Sequence, residues 1–190
     1  MTSFEFVFGM ISVITSLALT RLLGGGVELL RHAARVRPSF RHACWTANAA
    51  MVLVGNWASF WNRRGIESWG AMDVLMPLVF IGVLYAFCAL LVPDAPRDGE
   101  TLDLREYHTR HGRRYVATHL VFALLALLAI AVRSTSAGAW LHDASFALAA
   151  TALTVIALVT RRAWLDILAA IALVALSAGF MWSRLETLAR

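Results

Sequence analysis

Six apolar segments, each about as long as a bilayer is thick, constrain this chain more than any other feature of its sequence. A transmembrane helix needs roughly 20 mostly apolar residues to cross about 30 Å of hydrocarbon. The segments are Phe4–Leu23, Ala43–Trp61, Met72–Val92, Tyr115–Val132, Leu141–Thr160 and Ala163–Trp182. Because backbone N–H and C=O groups in lipid must hydrogen-bond internally, each span is expected to be helical. The sequence therefore predicts an all-α membrane protein, a single six-transmembrane-helix bundle over residues 1–190.

The composition excludes an ordinary soluble domain. Hydrophobic residues make up 59% of the chain and charged residues 15%, whereas soluble domains carry about 25% charge. The net charge of +5 comes from arginines that flank the apolar segments, so we expect contact with anionic lipid headgroups and no binding of nucleic acid. Cys44 and Cys88 lie at or within apolar segments and are interpreted as small apolar residues.

Arginine counts predict the orientation. The first, third and fifth connections carry twelve arginines, and the other side carries five. Cytoplasmic loops are enriched in basic residues, so the side with twelve is expected to be cytoplasmic and both termini non-cytoplasmic. All seven tryptophans fall near predicted span ends, which is typical of the headgroup level.

Three stretches together resemble a known family. They are S-V-I-T-S-L-A-L-T-R-L-L-G from Ser12 to Gly24, the tryptophan-rich stretch from Asn56 to Arg63, and L-V-P-D-A-P followed by L-D-L-R-E-Y-H and H-G-R-R-Y. This pattern is similar to an uncharacterised family of small bacterial six-span integral membrane proteins. The resemblance implies the six-span topology and a bacterial inner (cytoplasmic) membrane location, and it implies no activity.

Polar residues inside the predicted spans are the candidates for function, because an ionisable group is costly to place in lipid. They are Thr20, Arg21, Asn48, Tyr85, His119 and Asp166. One interpretation is a polar pathway in the cytoplasmic half, with Asp166 and Arg21 paired across it. In the other, Arg21 extends to the headgroups, Asp166 pairs with Arg162 one turn away, and His119 and Asn48 only join helices.

Small residues recur in the first span. Ser12, Ser16 and Gly24 belong to a row at four-residue spacing, and small residues at such spacing let helices approach closely. We expect these three positions to pack against another helix, with a polar pore lining as the alternative.

The chain offers few marks of catalysis. His108 and His111 form H-x-x-H beside Glu106, a spacing that suits a metal ligand set, but the segment is polar and four-residue patterns recur by chance. We therefore predict no catalytic residue, no metal and no cofactor.

Three classes of function stay open at this point. The first is a small ion channel or transporter, assembled as a homo-oligomer, with a polar pathway at its cytoplasmic half. The second is a structural, sensory or accessory subunit of a membrane complex. The third is a membrane-embedded enzyme that acts on lipid.

Overall fold

The computed structural model describes residues 2–66, 68–96, 100–160 and 162–188, and most of these are helical. In chain order the helices are α1 (Ser3–Arg31), α2 (Phe40–Trp61), α3 (Ala71–Leu91), α4 (Leu104–Arg133), α5 (Ala137–Asp143), α6 (Ser145–Val159) and α7 (Ala163–Leu188). A 3-10 turn (Ala33–Arg35) and two short strands, β1 (Val36–Arg37) and β2 (Leu102–Asp103), lie in the connections.

Polar caps set where several helices begin. Thr2 and Glu5 form a reciprocal capping box at the start of α1, and the Ser39 hydroxyl accepts from a backbone N–H in the first turn of α2. The Asp103 carboxylate accepts from two N–H groups that open α4. Each cap satisfies backbone donors that a helix start leaves without a partner.

Packing contacts arrange the six long helices in the cyclic order α1, α3, α4, α6, α7, α2. Helix α2 also contacts α3 and α4, so it lies nearest the middle of the bundle. Its side chains Trp45, Asn48 and Leu53 are completely buried, and they form the core with Phe87 of α3 and Tyr115 of α4. The chain therefore folds around its second helix.

The three arginine-rich connections meet at one end of the bundle. Strands β1 and β2 pair in parallel, which joins the connection before α2 to the connection before α4. An ion pair between Arg41 at the start of α2 and Asp166 at the start of α7 brings the third connection to the same place. We refer to this end as the basic end, and to the end that carries residues 62–66 and 134–136 as the opposite end. Arg97 and Arg161, two of the predicted flanking arginines, lie outside the described residues.

Several helices have the length and composition of membrane spans. Among the described residues, α1, α3, α4 and α7 are long and apolar enough to cross a membrane, and α5 with α6 makes a fifth if the bent pair is one span. Helix α2 is not in this set, although it is 22 residues long. Because α2 is enclosed by other helices, its polar side chains face protein, and it needs less apolar surface.

The predicted span Leu141–Thr160 is wrong as a single continuous helix. The chain bends by 64° between α5 and α6, and α6 has 15 residues, which span only about 22 Å. The predicted span Tyr115–Val132, by contrast, is the second part of a helix that already begins at Leu104. The polar segment from Leu104 to Arg114 is therefore helical and continuous with the apolar part of α4.

Candidate functional site

An acid, a base and a phenol meet inside the basic end. Arg41 Nη1 donates to Asp166 Oδ2 at 2.8 Å, and His108 Nε2 lies 3.1 Å from the same oxygen. The Tyr115 hydroxyl is hydrogen-bonded to His108 Nδ1. If Nε2–H donates to the carboxylate, Nδ1 accepts from the Tyr115 hydroxyl, so one neutral tautomer serves both bonds. We call Arg41, Asp166, His108 and Tyr115 the aspartate cluster.

The residues of this cluster lie on α2, α4 and α7 and are shielded from solvent. His108 and Asp166 are 7% exposed, and Tyr115 is completely buried. Asp166 Oδ1 has no hydrogen-bond partner among the described residues, and His42, whose ring is also buried, leaves its Nδ1 unpartnered there too. Unsatisfied polar atoms in a buried site are uncommon and often mark function.

A second buried network lies deeper in the bundle, and all its hydrogen bonds run from donor to acceptor in the same direction. The Ser177 hydroxyl donates to Asn48 Oδ1 at 2.6 Å, and Asn48 Nδ2 donates to His119 Nε2 at 3.3 Å. His119 Nδ1–H then donates to Thr154 Oγ1 at 2.9 Å, and that hydroxyl donates to the Ala150 carbonyl. We call Asn48, His119, Thr154 and Ser177 the asparagine network. It joins α2, α4, α6 and α7.

Trp45 separates the two groups. Tyr115 and His119 lie one turn apart on α4, and the Trp45 ring contacts both, with centroid distances of 5.9 and 5.7 Å. Phe87 packs against His119 at 5.1 Å and against Trp45 at 6.3 Å. Trp45 Nε1 is buried and finds no hydrogen-bond partner among the described residues. The rings of Trp45 and Phe87 therefore form an aromatic layer, one helical turn thick, that divides the polar interior between the aspartate cluster and the asparagine network.

A cavity of about 840 Å³ leads to the asparagine network from the opposite end. His119 and Ser177 line it, together with side chains of the second half of α2, the first half of α3 and the second half of α4. Three arginines, Arg63, Arg133 and Arg184, line its outer part. Desolvation lowers the pKa of Arg63 to about 10, and the nearby charge of Arg133 adds to the effect while Asp73 opposes it.

Three of the predicted intramembrane residues are in these groups and three are not. Asn48 and His119 hydrogen-bond to each other, and Asp166 belongs to the aspartate cluster. Thr20 and Tyr85 are exposed on the bundle surface. Arg21, with a side chain that is 47% exposed, lies 3.9 Å from Asp94.

Neither predicted partner of Asp166 is the observed one. The structure pairs Asp166 with Arg41, and not with Arg21 across the bundle or with Arg162 one turn away. Arg21 lies on α1, which packs mainly against α3 and α2. Arg41 lies on α2, the helix with which α7 makes its most extensive contacts, and this explains why Asp166 pairs with Arg41.

The three small residues predicted to pack against another helix, Ser12, Ser16 and Gly24, do so only in part within one chain. The Ser12 hydroxyl accepts from Trp57 Nε1 at 3.0 Å, whereas Ser16 is exposed and bonds to its own helix backbone. Gly24 is exposed, and a side chain there would meet open space. The close approach is made instead by Gly25, where a Cβ atom would overlap Val92.

The H-x-x-H residues point in different directions. His108 faces Asp166, His111 stacks on Tyr107 at 4.7 Å, and Glu106 pairs with Arg110 at 2.5 Å. In the described part of the chain no three histidine, cysteine or acidic side chains are grouped to hold a metal ion.

Sequence reasoning missed several members of the site. The residues that were not predicted are Arg41, His42, Trp45, Tyr115, Thr154 and Ser177, and His108 was considered only as a metal ligand. A helical repeat could have found some of them, because positions 41, 45 and 48 share one face of α2, and positions 108, 112, 115 and 119 share one face of α4. Treating the segment before Tyr115 as a separate element hid the second repeat.

No protein-family model, curated protein or solved structure matches this chain. The resemblance to small six-span proteins therefore stays a prediction.

Proposed function

We propose that this protein is a small channel or transporter that moves protons through the middle of a membrane-embedded helical bundle. The observation that carries the proposal is the buried polar column: the cavity ends at His119, and the asparagine network and the aspartate cluster follow it toward the basic end. Buried histidine, acidic and hydroxyl side chains in series are the usual components of intramembrane proton relays.

The proposed route has one barrier. A proton that enters the cavity reaches His119, passes the Trp45 layer to Tyr115, and continues through His108 to Asp166. Tyr115 and His108 already share a hydrogen bond, so the step between His119 and Tyr115 is the one that Trp45 controls. Arg41 balances the charge of Asp166, so the buried pair carries no net charge and is less costly to hold inside the bundle than a lone carboxylate.

The membrane topology is part of the same proposal. We infer six spans, with α2 as the enclosed sixth and α5 with α6 as a bent one. The basic end faces the cytoplasm by the arginine rule, so the cavity opens to the non-cytoplasmic side, where both termini lie. A bacterial inner membrane is the proposed location.

A second candidate is a homo-oligomeric or accessory subunit. Ser16, Thr20 and Gly24 form an exposed row of small residues on α1, and such rows favour contacts between helices in lipid. The asparagine network is compatible with this role, since its hydrogen bonds also hold four helices together. Under this proposal α1 contacts another protein chain and no proton crosses the bundle.

Proton flux into liposomes distinguishes the two candidates. The purified protein is reconstituted with an internal pH-sensitive dye, and a potassium gradient with valinomycin drives proton entry. We expect protein-dependent acidification that falls to the rate of empty liposomes in His119→Gln and in Asp166→Asn. Arg21→Ala is the matched control, because its ion pair lies on the surface, and it should conduct like the unmodified protein.

Other outcomes would reject the relay. Absence of flux under potentials of both signs would favour the subunit candidate, and so would flux that neither His119→Gln nor Asp166→Asn changes. Cross-linking in the membrane, compared between the unmodified protein and Gly24→Leu, then tests the exposed row on α1.

A further inference from the structure

The cavity at the opposite end combines an apolar interior with basic side chains at its outer part. Val52, Phe80, Phe122 and Phe146 line it together with small alanines such as Ala126. Apolar pockets with a few polar groups at fixed positions are typical of binding sites for small molecules. The size of about 840 Å³ is within the range of such pockets, roughly 300–1,000 Å³.

The arginines of this cavity keep unused hydrogen-bond donors. Arg63 Nη1 and Arg184 Nε are buried and have no hydrogen-bond partner among the described residues. Each guanidinium lies over an aromatic ring of its own helix end, Arg63 over Phe60 at 5.3 Å and Arg184 over Phe180 at 5.2 Å. Stacking of this kind fixes the position of the cation while its N–H groups stay free to donate.

Acidic residues offset the charge of these three arginines only in part. Asp73 and Asp143 also line the cavity, but no ion pair between described residues joins either of them to the three arginines. The Asp73 carboxylate accepts instead from the Gly70 N–H at 3.1 Å, at the start of α3. The outer part of the cavity is therefore basic, with donors that suit a carboxylate or phosphate.

We propose that this cavity binds an anionic amphiphile with a single aliphatic chain, the charged head held by Arg63 and Arg184 and the chain lying among Phe80, Phe122 and Ala126. The lining includes Met72, Leu128 and Val132, which are more than half exposed, so the cavity opens at the bundle surface where the start of α3 and the end of α4 line it. An amphiphile from the membrane can enter by that side without leaving the bilayer. Arg133, which is exposed at the end of α4, adds positive charge at the opening.

Binding of dodecyl phosphate to the purified protein in dodecyl maltoside tests this site, with native mass spectrometry to count the molecules bound per chain. We expect one saturable site. Dodecyltrimethylammonium, which has the same chain and a positive head, and inorganic phosphate, which has no chain, should not bind over the same concentrations. The experiment needs no proton gradient, so its failure is independent of a failure of the proposed relay.

Matched variants locate the site. A hydrogen bond to a charged group contributes about 1.5–3 kcal/mol, so Arg63→Gln and Arg184→Gln should each weaken binding roughly tenfold or more. Arg64→Gln removes the neighbouring arginine, which is exposed and stacks on Trp61, and it should leave binding unchanged. Ala126→Phe fills the apolar part and should abolish binding with all three arginines in place.

Three results would overturn the proposal. An equal loss of affinity for dodecyl phosphate in Arg64→Gln and Arg63→Gln would show that surface charge alone attracts the ligand. Binding of dodecyltrimethylammonium as strong as that of dodecyl phosphate would show that the chain partitions into the cavity without recognition of the head group. Binding of inorganic phosphate as strong as that of dodecyl phosphate would show a free-anion site. If Ala126→Phe fails to fold, the comparison of Arg63→Gln with Arg64→Gln still decides the outcome.

Discussion

Asp166→Asn should destabilise the bundle strongly, because it leaves a largely buried arginine without its counter-charge. The side chains of Arg41 and Asp166 are 18% and 10% exposed. Removing one partner of a buried pair costs about 3–5 kcal/mol. The lower end applies here, since the asparagine carbonyl can still accept one hydrogen bond and Arg41 keeps some contact with solvent, so we expect about 3 kcal/mol.

Thermal unfolding in detergent micelles measures this loss, with tryptophan fluorescence as the signal. For a chain of this length 1 kcal/mol corresponds to about 2–4 °C, so the midpoint should fall by about 6–12 °C. Glu106→Gln is the control. Its pair with Arg110 is shorter, at 2.5 Å, but the two side chains are 57% and 70% exposed, and such pairs contribute only about 0.3–0.5 kcal/mol.

A double-mutant cycle identifies the source of the effect. The combination of Arg41→Gln with Asp166→Asn should lose less stability than the sum of the single changes, because the second change removes the charge that the first left unpaired. Additive losses would refute the reasoning, and so would equal shifts of the midpoint in Asp166→Asn and Glu106→Gln. Either result would mean that burial is not the reason why the Arg41–Asp166 ion pair stabilises the protein.

Two further predictions concern stability in the same assay. A Cβ atom at Gly55 would lie 2.8 Å from the Phe180 ring, so Gly55→Ala should cost about 1–3 kcal/mol by overpacking. A Cβ atom at Gly82 meets open space, so Gly82→Ala should leave the stability unchanged or raise it. Equal effects of the two changes would contradict the packing of α2 on α7. Asn48→Ala removes both the acceptor and the donor that its two buried partners use, so it should cost about 1–3 kcal/mol for each unsatisfied group, and an unchanged midpoint would show that the network carries no stability.

Hydropathy predicted the helices of this protein well, because each run of apolar residues is a local property of the sequence. Two errors had local causes as well. The break at Ala144 lacks the proline or glycine that usually marks one, and the polar turns before Tyr115 hid the true start of α4.

The pairing inside the bundle could not be read in the same way. Arg21 and Arg41 both flank an apolar run at the basic end of the bundle, and nothing in the neighbouring residues distinguishes them. Which of the two reaches Asp166 depends on the position and rotation of whole helices. Asn48 and His119 were found because a polar residue in mid-span is conspicuous by itself, whereas their partners Thr154 and Ser177 are ordinary in a membrane helix.

The central position of α2 has a consequence for synthesis of the protein. The residues that satisfy Arg41 and Asn48 are Asp166 and Ser177, which follow them by 125 and 129 positions. While the ribosome makes α3 to α6, Arg41 and Asn48 lack these two partners, and Asn48 gains only His119 once α4 is complete. Chains that stop before α7 should therefore be targets for proteases, because α7 supplies the residues that complete the polar contacts of α2.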